Sequence, residues 1–132
     1  MSRPAQLLYD PDWTLNPTTL TDVGDLGVDY PSADLVETTN RWPDDLPTIG
    51  PAVGVPLHYA LAEFDGLWTV SPERVTGFAR HFPNAPFIDA SVWRGTGHNI
   101  EHHRVGQAYI RAVLSFADRC VMETHRPSAV TG

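Results

Sequence analysis

Residues 87–103 read FIDASVWRGTGHNIEHH. Residues 87–93 are apolar and β-rich, which predicts a strand. Arg94, Gly95, Thr96 and Gly97 then break the pattern with small, permissive residues, so a tight turn delivers His98 into a loop. Beyond it, Val105, Ala108, Tyr109, Ala112, Val113, Phe116, Ala117 and Cys120 recur at helical spacing. They form one apolar stripe on a long helix predicted from about residue 100 to 120. A strand, a turn carrying a histidine and a closing helix is the unit that decides the fold.

Upstream the same alternation appears once more. Residues 55–62, VPLHYALA, are a short apolar run with proline near its start, where a strand tolerates it. So continuous a run predicts a strand buried on both faces of a parallel sheet. It ends at Glu63-Phe64-Asp65-Gly66. Residues 71–82, SPERVTGFARHF, begin with serine then proline, an N-cap followed by proline in the first turn. Pro83-Asn84-Ala85-Pro86 ends that helix. Residues 55–120 therefore read strand, helix, strand, helix. Strands joined through helices run parallel, so both strand-end loops reach one carboxyl edge. Asp65 and His98 are thus expected on the same rim.

The first part of the chain is different. Residues 1–54 hold nine acids against Arg3 and Arg41, whereas the remainder is balanced. They are rich in Pro, Thr and Gly. Gln6–Tyr9 reads as a short strand ending at Asp10. Residues 33–41, ADLVETTNR, read as a helix capped by Ser32 and stopped by Trp42-Pro43. The expected organisation is a lid-like or docking segment over 1–54 and an α/β unit over 55–132, in a single domain.

Composition limits the function. The chain has 132 residues, 42% of them hydrophobic, enough for one domain with a core. No apolar run approaches the ~18 residues of a membrane span. The opening MSRPAQLLYDPDW does not read as a secretory signal. One cysteine, Cys120, makes no internal disulfide, and a reducing, cytoplasmic setting is expected. A net charge of −7 argues against nucleic acid and anionic membranes as partners.

Two sets of residues resemble a known family. VPLHYALAEFDGLWTV places an acid after one core strand, and FIDASVWRGTGHNIEHH places a Gly-X-Gly-His-Asn turn after the next. With the helix HRVGQAYIRAVLSFADRC, they resemble the C-terminal portion of an α/β-hydrolase, over residues 53 to 120. That family orders its triad nucleophile, acid, histidine. The resemblance implies that Asp65 is the acid and His98 the base. It implies ester, thioester or amide hydrolysis, or acyl transfer, on a small acyl substrate without a cofactor. Residues 1–54 would then be a lid. No Gly-X-Ser-X-Gly elbow is present, so a serine nucleophile is expected from another chain carrying the N-terminal hydrolase half. Failing that, a homodimer would pair sheet edges. The alternative is a non-catalytic, hydrolase-like binding protein with a remnant Asp/His pair.

Other residues compete for roles. Glu63, two residues before Asp65, is the rival acid, and Asp10 is a further one. His98-Asn99-Ile100-Glu101-His102 spells H-x-x-E-H, a zinc-binding string on a helix. A zinc site needs a third ligand, and the late acids Asp118 and Glu123 fall near the far end of the closing helix, so no metal is expected. His102 and His103 read as polar residues of that helix's first turns. Ser91 lies inside a strand, a poor place for a nucleophile. Cys120 lies on the apolar stripe, as core. Trp68, just past the acid, is expected to line the substrate pocket, and Trp13, Trp42 and Trp93 to pack.

Overall fold

The computed structural model describes residues 7–19 and 32–126. Its regular elements are helix α1 (Ser32–Val36), helix α2 (Trp42–Ile49), strand β1 (Leu57–Ala62), helix α3 (Pro72–Ala79), strand β2 (Ile88–Trp93) and helix α4 (Gly106–Thr124). Short 3₁₀ turns occupy Asp12–Thr14, Gly50–Ala52 and Ile100–His102. The protein is mixed α/β, with a two-stranded parallel sheet.

β1 and β2 run side by side in register, from Leu57 opposite Ile88 to Ala62 opposite Trp93. The backbone pairing continues past both strands. Glu63 N–H donates to the Trp93 carbonyl at 2.9 Å and Phe64 N–H to the Thr96 carbonyl at 2.9 Å. The two carboxyl ends are thus held together beyond the sheet itself. α3 packs on one face, where Tyr59 stacks on Phe78 at 3.9 Å between ring centroids. α4 covers the other. Phe116 meets His58 and Phe87, and Tyr109 takes the edge of Trp93. Arg119 of α4 bonds Asp89 of β2 and lies over the Phe87 ring. Among the described residues Leu15, Leu46, Leu61, Ala62, Val75, Phe82 and Ile100 form the buried core. Each large side chain among them contributes about 1.5–3 kcal/mol.

Several sequence expectations are corrected. Apart from Leu61 and Ala62 the strand residues are half-buried, or exposed at Ala90 and Ser91, because a sheet of two strands has no neighbours to bury its margins. Leu7–Tyr9 form a helical turn and not a strand, and Gln6 lies outside the described residues. The helix over 33–41 does not stop at Trp42-Pro43. It passes through a π-helical turn at Glu37–Arg41 and continues as α2. Pro43 then occupies the first turn of a renewed α-segment, where its missing N–H costs nothing. The closing helix begins later than expected, at Gly106, after the separate 3₁₀ turn. Ser71 caps α3 as expected, its hydroxyl accepting the Arg74 N–H at 3.2 Å.

Residues 8–19 are bound to the histidine-bearing loop. Asn99 N–H donates to the Leu8 carbonyl at 3.1 Å, Asn16 N–H to the His102 carbonyl at 3.1 Å, and Arg104 N–H to the Thr14 carbonyl at 2.8 Å. Leu15 bridges His103 in an antiparallel pair. Residues 8–16 are therefore part of the frame that holds residues 97–104.

No helix of the described residues is long and apolar enough to cross a membrane.

Candidate active site

Asp65 leaves β1 in a turn that its own side chain builds. Its Oδ1 accepts the backbone N–H of Leu67 at 2.8 Å and of Trp68 at 3.0 Å. This is an Asx-type turn, and Gly66 lets the Leu7 backbone approach it closely. A side chain at Gly66 would meet the Leu7 carbonyl at 2.5 Å. The other oxygen, Oδ2, lies 2.9 Å from His98 Nδ1. The Asp65 side chain is 3% exposed and that of His98 29%. Both carboxylate oxygens are thus used, and one of them fixes the imidazole. With Nδ1–H donated to Asp65, Nε2 is the basic nitrogen.

His98 arrives through a turn held from several directions. Gly95 takes the left-handed conformation at φ 70° that its lack of a side chain permits. Its N–H is accepted by Glu63 Oε2 at 2.7 Å. Thr96, fully buried, donates its hydroxyl to the Trp93 carbonyl at 2.8 Å. Gly97 donates its N–H to His103 Nε2 at 2.9 Å. A side chain at Gly97 would collide with the Asp10 carbonyl.

His103 is the residue that the sequence undervalues. It is 2% exposed and not a polar residue of the closing helix. Nε2 accepts from Gly97, so Nδ1 carries the proton and donates to Thr14 Oγ1 at 2.7 Å. That hydroxyl donates onward to the Pro11 carbonyl at 2.6 Å. A neutral ring satisfies every partner. Burial, reinforced by the neighbouring His102, pulls its pKa below the ordinary histidine value. The local string H-H-R carries no sign of this, because the partners lie at Thr14 and Gly97.

The competing residues fall elsewhere. The Glu63 carboxylate is taken by the Gly95 amide, so Asp65 is the acid bonded to His98. The H-x-x-E-H string lies on a loop and a 3₁₀ turn, not on an α-helix. His102 pairs loosely with Glu101 at 4.0 Å and packs against Tyr9. Among the described residues no cluster of three potential ligands forms. Asp10 approaches Gly97 through its backbone carbonyl. Cys120 is a half-buried free thiol.

A groove of about 590 Å³ opens beside the pair. Trp68, expected here, lines it, as do Trp42, Leu46, Tyr59, Arg74 and Phe78. Trp42 and Leu46 belong to α2, so the helical segment before the sheet supplies one wall. Burial, and secondarily the Asp65 carboxylate, raise the Tyr59 phenol pKa above its ordinary value. Tyr59 is therefore a protonated donor at neutral pH.

Chemically, a carboxylate-oriented imidazole with one basic nitrogen, on a residue that lines a largely apolar groove, can take a proton from a hydroxyl or thiol and return it to a leaving group. No protein-family model, curated protein or solved structure matches this chain.

Proposed function

We propose that this chain is the acid/base half of an α/β-hydrolase-type enzyme. It acts by ester, thioester or amide hydrolysis, or acyl transfer, with a serine nucleophile on another chain. One observation carries the reading: the buried Asp65 carboxylate, pinned by two backbone amides, holds His98 Nδ1 at 2.9 Å. In such an arrangement Nε2 removes the nucleophile's proton, and the aspartate stabilises the imidazolium that forms. The helical segment Ser32–Ile49 serves as a lid, since α2 walls the groove. The partner supplies the strand beside the sheet and the oxyanion donors.

A second reading has its own support. Among the described residues no hydroxyl or thiol is hydrogen-bonded to His98, whose Nδ1 bond to Asp65 is its side-chain contact. The chain alone then binds a ligand without turning it over.

The test is to isolate the chain with its partners from its host and treat the complex with a fluorophosphonate probe. The proposed function expects labelling of a partner serine and hydrolysis of a p-nitrophenyl ester. His98→Ala abolishes both, a loss of about 10⁴-fold in kcat. Asp65→Asn loses less but still orders of magnitude, and Glu63→Gln is mild by comparison. Equal labelling by wild type and His98→Ala overturns the catalytic reading.

A further inference from the structure

We infer that the groove beside His98 selects substrates carrying a carboxylate on an apolar body, with Arg74 as the anchor for the anion. The inference rests on the acid/base reading of Asp65 and His98 and adds the substrate class. Arg74 is the one arginine lining the groove among the described residues. Its backbone N–H is used by Ser71, while its guanidinium has no hydrogen bond or ion pair among the described residues. The groove's other full charge is committed: Asp65 is taken by the Leu67 and Trp68 amides and by His98. Arg74 is left as the group that can receive a ligand's charge.

Its position on α3 supports this. Ser71 caps the helix, and three residues later a reciprocal capping box would place Glu or Gln. Arg74 stands there instead, while its neighbour Glu73 supplies the acid of the first turn; the guanidinium has no task in the cap. The chain as a whole carries −7 and repels anions, so an anionic ligand needs a local cation. Trp42, Trp68 and Phe78 supply the apolar wall. A planar guanidinium holds a carboxylate through two parallel bonds. The aromatic wall holds the body, and the acyl carbonyl then lies toward His98.

Two probes separate charge from shape. Monobenzyl succinate has an aromatic body, an ester and a carboxylate, and benzyl methyl succinate is its neutral counterpart. Each is titrated into the full chain and followed by amide and indole NMR shifts. The expected result is about tenfold tighter binding of the monoester at low salt. Arg74→Gln removes that preference. Arg74→Lys, which keeps a cation without the fork, retains part of it, and Arg80→Gln, outside the groove, retains all of it. Equal affinity for the two probes, a preference that survives Arg74→Gln, or binding of neither overturns the inference. The outcome is independent of turnover. A preference lost in Arg74→Gln alongside probe labelling that ignores His98→Ala would sink the catalytic reading and leave the binding class standing.

Discussion

At the scale of single residues, His103 carries the clearest structural consequence. Its ring joins Thr14, from the first segment, to Gly97, the residue just before His98. His103→Ala leaves the Gly97 amide and the Thr14 hydroxyl without their partner and opens a buried void. The expected loss is about 2–4 kcal/mol of stability, read from urea unfolding. Because its folded pKa is lowered, the unfolded chain binds the proton more readily than the folded one. Stability from this group is complete above the ordinary value of 6.5 and declines as pH falls from there toward the folded pKa. The melting temperature of the wild type should drop between pH 7.5 and 5.5, and His103→Gln should show a flatter slope. A wild type and variant with parallel slopes would mean that His103 takes a proton without cost.

Elements show how much of the fold the chain announces locally and how much it does not. Apolar runs and punctuation such as Ser71-Pro72 are enough to mark the existence of β1, α3, β2 and α4, though not the half-exposed faces of the strands or the start of α4 at Gly106. Parallel pairing then followed from the helix between the strands, and with it the meeting of Asp65 and His98 at one rim. The π-helical turn at Glu37–Arg41 was not legible, since an extra residue per turn leaves no residue-type signature. The burial of His103 was hidden for another reason: its partners are 89 and 6 residues away. Arg74 carries no sequence signal as a groove residue, because the residues it shares the groove with come from other elements. The turn between β2 and the 3₁₀ segment offers a test at this scale. Gly97→Ala drives a methyl group into the Asp10 carbonyl and toward His103 Nε2. It should cost at least about 2 kcal/mol and displace His98 from Asp65. The readout is the downfield Nδ1 proton of a carboxylate-bonded histidine, sharp in wild type and broadened or absent in the variant. An unchanged resonance with unchanged stability would show that the first segment yields without effect.

For the whole molecule, the question is what covers the surfaces that this fold leaves open. Among the described residues no strand pairs with the outer edge of β1 or of β2. α4 presents Ile110, Leu114 and Val121 outward, exposed by 44%, 60% and 57%. These positions follow at spacings of four and seven, so they form one stripe along the helix. Unpaired sheet edges template further pairing, and a contiguous apolar stripe is energetically poor in water. An isolated chain should therefore associate. Sedimentation equilibrium at micromolar concentration is expected to show species larger than a monomer. Leu114→Glu places a charge in the middle of the stripe and should shift the distribution toward monomer, while helicity by circular dichroism stays the same. If the proposed nucleophile-bearing partner seats on the same surfaces, its addition should dissolve the self-association and replace it with a one-to-one complex. A compact monomer that neither self-associates nor binds a second chain would remove the need for a partner. With it would go the proposed division of labour, in which this chain brings the acid and base to a serine held elsewhere.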